Sequence, residues 1–317
     1  ILCLLGQIPC KTLSYVIYSN FTSHFTIVLV QNNLALERSS YSKELRFSVI
    51  DESHLLIQGN NVPNMIKIAG SIIFTVEKEN KNFKAKVTIK HILLENCEIT
   101  LANLTAIFIN VHFKNALLSD KSSQLINIIF LNITWIQTLN HSLTQDATIE
   151  LVSSKFLHIS ITKASLSGVS LKVNCEYFSV HISNVVISKL LYSHYCLKVI
   201  DTVQSSLIYN TITITNTSME RIPNGQQLNS NHKRTVTAVY LVTSSCMVVL
   251  KRLTIKRFSS AVYVTNEHFH LMNAINFRII IEASRFSDNH SPDSGAGLSV
   301  KLKICRVIKA FIRINAT

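Results

Sequence analysis

Short segments rich in Ile, Val and Thr recur along the chain. KVTIKHILLENC (86–97), AIFINVHFKNA (106–116), IIFLNITWIQT (128–138), KFLHISITKAS (155–165), FSVHISNVVISKL (178–190), IYNTITITNTS (208–218), VVLKRLTIKRFSS (248–260) and FRIIIEASRFSDN (277–289) share one pattern. Each reads apolar, polar, apolar, then a polar kink, then apolar again. Alternation with a period of two is the mark of a half-buried strand, and β-branched residues favour extended backbone. An array of strands at a loose fixed interval is the signature of a solenoid.

The apolar residue after each kink serves as a marker: Ile92, Val111, Ile133, Ile159, Val185, Ile212, Leu253 and Ala283. Successive separations are 19, 22, 26, 26, 27, 41 and 30 residues. The longest contains the polar stretch 220–233 (ERIPNGQQLNSNHK), read as a protruding loop. Turns of varying length between stacked strands predict an all-β chain, a single right-handed parallel β-helix (solenoid). The kink residues are then His91, Asn110, Asn132, His158, Asn184, Thr211, Arg252 and Glu282. Asn tolerates a left-handed backbone and can bond to an Asn one coil away, so an internal Asn ladder is expected. A ligand-binding row is the sharper alternative. Residues 11–20 (KTLSYVIYSN) space their apolar positions as a short helix that would cap the open N-terminal end. Segments 25–30, 45–49, 54–57 and 65–68 read as the first strands.

Composition narrows the class. Of 317 residues, 47% are hydrophobic, with 7 Gly and 4 Pro, and the mean hydropathy is +0.27. So little Gly and Pro argues against a turn-dense sandwich, collagen and disorder. No run of eighteen apolar residues occurs, so no membrane-spanning helix is expected. Residues 1–9, opening ILCLLG, read as a signal-peptide remnant. Residues 10–317 then form one β-helix domain, a fragment of a longer chain, with membrane attachment only through a missing segment. The alternative for the first residues is a buried apolar strand.

Seven cysteines are scattered and none forms a CxxC pair, which leaves zinc and thioredoxin-like readings without support. Cys175 and Cys196 lie 21 residues apart, about one coil. They are disulfide candidates across neighbouring rungs; the alternative is a pair of small buried apolar residues. Asn-x-Ser/Thr sequons make Asn20, Asn103, Asn140, Asn216 and Asn289 glycosylation candidates. Asn132 heads a sixth, inside a strand motif where burial is expected to leave it unmodified. Asn315 heads a seventh.

CKTLSYVI (10–17), HLLIQGNN (54–61), VTIKHILLENC (87–97) and FSDNHSPDSGAGLSV (286–300) together resemble extracellular right-handed parallel β-helix proteins, pectate-lyase-like and polymorphic outer-membrane-protein-like. Here Gly295-Ala296-Gly297 stands where a Gly-Gly run is usual. The resemblance covers residues 10–300 and implies the fold and an extracellular or cell-surface location more than an activity.

Many β-helix proteins cleave polysaccharides, which takes two or three facing carboxylates. The chain has six Asp: Asp51, Asp120, Asp146, Asp201, Asp288 and Asp293. No Asp-Asp pair or Gly-His-Gly is present. Asp51-Glu52 and Asp288 with Asp293 are the close acidic groups, and both read as solvated turns. His268 and His270 share a strand face without metal spacing. No hydrolase, zincin, Walker or dinucleotide motif is present. Catalytic residues, metal ligands and cofactors are therefore not assigned.

The formal charge is +13. Lys251, Arg252, Lys256 and Arg257 bracket the strand 253–255. Lys301 and Lys303 would both point outward from a strand over 300–304, with Arg306, Lys309 and Arg313 nearby. A basic patch favours polyanions. One Trp and no aromatic-basic motif argue against nucleic acid. The expected function is a non-enzymatic extracellular or cell-surface module for structure and adhesion. It would contact anionic glycans through Lys251, Arg252, Lys256, Arg257, Lys301 and Lys303, or surface proteins. The alternative is a polysaccharide lyase or glycoside hydrolase acting on an anionic polysaccharide.

Overall fold

The computed structural model describes residues 25–28, 34–35, 45–49, 54–59, 66–76, 85–122, 126–138, 146–190, 193–201, 210–222, 236–243, 245–266, 275–289, 296–301 and 308–315. Among them every regular element is a strand. The capping helix expected over 11–20 and the signal remnant at 1–9 lie outside the described residues.

Every pairing among the described strands is parallel, and the pairings sort into three ladders. The first contains Phe25–Val28, His54–Gln58, Lys86–Lys90, Thr105–Ile109, 126–131, 157–162, 178–183, Asn210–Thr215, Ser245–Lys251, Ile275–Glu282 and Ile308–Asn315. The second runs from Leu34–Ala35 through 66–69, 92–95, His112–Lys114, 134–136, 164–167, 186–190, Ser218–Arg221 and Thr254–Lys256 to Arg285–Ser287. The third runs from Leu45–Val49 through 70–76, 97–102, Leu117–Ser122, 147–153, 169–175, Tyr195–Asp201, Thr237–Val242 and Ser260–Thr265 to Leu298–Lys301. The chain visits first, second and third ladder in turn and then returns to the first, one rung on.

Register stacks like on like. Val87, Ala106, Ile128, Ile159, Val180, Ile212, Val248 and Ile279 form one column of direct partners, and all are buried. Rings stack the same way: Phe108 on Phe130 at 5.1 Å and Phe113 on Trp135 at 4.2 Å. At the last rung Ile312 and Ile314 continue the inward columns of Ile279 and Ile281, yet are 44% and 60% exposed because only one edge of their strand is paired.

One residue turns the chain from the first ladder to the second. His91, Asn110, Asn132, Lys163, Asn184, Asn216, Arg252 and Ala283 all hold φ between 47° and 55°, the left-handed region. Their amides carry the ladder bonding around the corner: Asn110 N–H donates to Leu131 O at 3.0 Å and Arg252 N–H to Glu282 O at 2.9 Å. This corrects three expected kinks. The corner is Lys163, not His158; Asn216, not Thr211; and Ala283, not Glu282. His158, Thr211 and Glu282 are ordinary strand residues, and the markers Ile159 and Ile212 belong to the first-ladder column. Counted along that column, the coils span 19 residues from Val87 to Ala106, then 22, 31, 21, 32, 36 and 31 on to Ile279. The Asn ladder is also not internal. Asn132, Asn184 and Asn216 are exposed, because a left-handed corner turns its side chain away from the core.

Gly59 occupies the same corner one rung before His91. A Cβ there would lie 2.3 Å from His91 O, so the close backbone approach requires glycine.

Candidate functional site

The basic residues singled out in the sequence lie around the strand Thr254–Lys256 of the second ladder. Lys251 ends a first-ladder strand, and Arg252 is the left-handed corner beside it. Lys256 ends the second-ladder strand, and Arg257 (φ 65°) is the next corner. An open depression of about 580 Å³ lies beside the first corner, lined by Asn216, Lys251, Arg252, Glu282, Ala283 and Asn315 among others.

Register also brings acids to this patch. Lys251 is the direct partner of Glu282, and Lys251 Nζ lies 2.9 Å from Glu282 Oε2. Arg257 Nη1 lies 2.9 Å from Glu220 Oε1. Glu220 itself sits on the strand Ser218–Arg221 rather than in the expected loop, and 223–235 lie outside the described residues. Arg252 and Lys256 have no acid within ion-pair distance among the described residues. Of the four cations, Lys251 and Arg257 are thus ion-paired, while Arg252 and Lys256 form no ion pair among the described residues, Lys256 being the direct register partner of Glu220. Lys301 is exposed at the end of a third-ladder strand, opposite Thr265, so it lies on a different ladder from Lys251–Arg257. Lys303 lies outside the described residues. Residues 308–315 form a strand, so Lys309 and Arg313 take strand register opposite Asn276 and Ile280.

Among the described residues the acids do not converge. Asp201 is 4% exposed, and its Oδ2 accepts from Asn210 Nδ2 and from Thr243 Oγ1, both at 3.2 Å. Asp146 is 8% exposed and accepts from the Ser193 amide at 2.6 Å. Asp201 satisfies two buried donors and Asp146 a part-buried amide, which is a structural use. Asp288 is a left-handed turn residue (φ 55°); Asp51, Asp293, His268 and His270 lie outside the described residues. No group of three His, Cys, Asp or Glu able to hold a metal occurs among the described residues.

Cys175 and Cys196 are not bridged. Cys175 is the register partner of Asp201, whereas Cys196 precedes Leu197, the partner of Leu171. They lie toward opposite ends of adjacent strands, and Cys97, Cys175, Cys196 and Cys246 are all buried and none is in a disulfide. Burial, with Asp146 nearby, pushes the Cys196 thiol well above its usual range, and burial with Asp201 nearby does the same to Cys246.

The sequons fall in different settings. Asn216 is an exposed corner, Asn103 (φ 59°) is half-buried, and Asn289 is engaged. Asn289 Oδ1 accepts from the Phe258 amide at 2.9 Å, and its Nδ2 donates to Ile255 O at 3.2 Å. Asn132, expected to be buried, is an exposed corner. Asn20 and Asn140 lie outside the described residues.

A second surface escaped the sequence reading. Glu150, Lys172, Lys198, Tyr240 and Tyr263 are successive partners on the outer side of the third ladder. Lys172 Nζ meets Glu150 Oε1 at 2.5 Å. Lys198 Nζ lies 5.6 Å from the Tyr195 ring centre and 5.4 Å from that of Tyr240. The Tyr240 and Tyr263 rings stack at 5.3 Å, 7° from parallel. Unequal coil lengths give these residues no fixed period, so only register reveals the row. No family model, no curated protein and no solved structure matches the chain.

Proposed function

We propose that the three ladders wind as a single right-handed parallel β-helix, and that the chain is a non-enzymatic extracellular or cell-surface module for structure and adhesion. The handedness follows from the strong preference of parallel strand connections for right-handed crossovers. The winding supplies a rigid surface on which rungs repeat about every 4.8 Å, suited to an extended, repeating ligand. The observation that carries the contact is the basic corner, where exposed Arg252 and half-buried Lys256 form no ion pair among the described residues beside the Lys251–Glu282 and Arg257–Glu220 pairs. Anionic glycans are the ligand class this charge favours.

Cleavage of such a glycan needs facing carboxylates. Asp146 Oδ2 and Asp201 Oδ2 accept from neighbouring protein donors instead, which supports binding without chemistry. The test is glycan-array binding of the secreted protein at low and high salt. Salt-sensitive capture of sulfated or uronate glycans without breakdown is expected, because exposed charge contacts are screened. Arg252→Gln with Lys256→Gln weakens capture, and Glu282→Gln strengthens it by freeing Lys251. Capture unchanged by all three substitutions would remove the corner from the account.

A further inference from the structure

The outer row of the third ladder holds an electrostatic conflict. Lys172 and Lys198 are direct register partners on one face, where like charges repel. Glu150, one rung further, compensates Lys172. Among the described residues no carboxylate reaches Lys198. Its ammonium is held instead between the Tyr195 and Tyr240 rings, an attraction that leaves the positive charge in place. Partial burial, and then Lys172, hold the Lys198 amine below its usual range. An anion set against Lys198 would relieve both.

The rest of the row constrains the ligand's shape. Tyr240 and Tyr263 face each other, and the opposite face of Tyr240 meets Lys198. Their rings therefore offer edges and hydroxyls outward. On either side, Ala238 and Ala261, and Val242 and Thr265, are buried, so the row is a narrow polar track along the ladder axis. The backbone beneath is paired on both edges. A peptide strand adds to a free sheet edge, and this track offers none. It offers an ammonium and phenol groups repeating about every 4.8 Å, which suits the hydroxyls and acid groups of an extended sugar chain.

We propose that Lys198, Tyr240 and Tyr263, with Lys172 and Tyr195 beside them, form a second binding site that takes an acidic polysaccharide along the third ladder, its acid group against Lys198. The site is on a different ladder from the basic corner and does not depend on it.

Amine acetylation of the folded full chain, read residue by residue by mass spectrometry, tests the site without any substitution. Polygalacturonate is expected to slow acetylation of Lys198 about tenfold, the effect of one unit of rise in the amine pKa, whereas neutral dextran leaves it unchanged. Lys198→Gln should then lower polygalacturonate affinity about tenfold with an unchanged circular dichroism spectrum. Protection of Lys251 with Lys198 still fully reactive would overturn this site and leave the corner reading standing. Protection of Lys198 by poly-glutamate as strong as that by polygalacturonate would make it an acidic-peptide surface instead. Failure of every polyanion to bind would remove both sites.

Discussion

Asn132 Nδ2 donates to Asn110 Oδ1 at 2.6 Å, across neighbouring rungs of the corner between the first and second ladders. Asn110 Nδ2 lies 3.4 Å from His91 Nδ1 one rung before. The same residues hold the left-handed backbone that turns the chain, so each Asn both tolerates the turn and ties it to the next. Lys163, Arg252 and Ala283 occupy equivalent corners without that tolerance, at a cost of about 1–2 kcal/mol each for an ordinary L-residue.

Lys163→Asn is therefore expected to stabilise the chain by up to about 1 kcal/mol. Asn110→Val is expected to cost about 1–3 kcal/mol, because a β-branched residue is strained at positive φ. Urea midpoints measure both. A loss for Lys163→Asn, or no change for Asn110→Val, would remove backbone strain as the reason for Asn at this corner.

The same corner marks how far the sequence could be read. Strand alternation gave the stacked parallel strands, since apolar residues at every second position have to share a face. It did not separate a corner from an outward strand residue. His158 and Thr211 are polar because they face out, and they look like kinks; Lys163 and Asn216, five residues on, are the residues with positive φ. Ala283 carries no polar mark at all, so Glu282 was read in its place. The basic corner was legible as a charge run, but its compensation was not. Lys251 and Glu282 are 31 positions apart, and only a 31-residue coil makes them partners.

The aromatic column should carry an unusual share of stability. Phe113 and Trp135 are each 1% exposed, with centroids 4.2 Å apart. Phe113→Ala is expected to cost about 3–5 kcal/mol. Trp135→Phe keeps the stack and should cost less. Fluorescence-monitored denaturation of Phe113→Ala and far-ultraviolet dichroism of both variants give the comparison; equal losses would mean that the stack is not what the two residues contribute.

Glycosylation should discriminate between sequons by the work their amides already do. Asn216 is exposed at a corner and is expected to be occupied in a secretory host. Asn289 holds the Phe258 amide and Ile255 carbonyl of the neighbouring rung, so attaching a glycan breaks packing. It is expected to remain bare, and Asn289→Ala to cost about 1–2 kcal/mol for the two bonds lost. Glycopeptide mass spectrometry reads the occupancy, and full occupancy of Asn289 in folded protein would contradict the assignment of its side chain.

The buried thiols set an alkaline limit on stability. Burial raises Cys196 and Cys246 in the folded chain, with Asp146 and Asp201 adding to it. In the unfolded chain both ionise near their ordinary value of 9.0. A raised folded value means that the contribution is complete below pH 9 and is lost as pH rises above it, because the unfolded state sheds protons that the folded state retains. Each thiol then removes about 1.4 kcal/mol per pH unit beyond that point. Cys246→Ala loses packing at every pH but takes one thiol out of the titration. Between pH 8 and pH 10 its stability should therefore fall by about 1.4 kcal/mol less than that of the parent chain. Urea unfolding at the two pH values measures the difference, and parallel losses in both proteins would mean that Cys246 does not titrate between the two states.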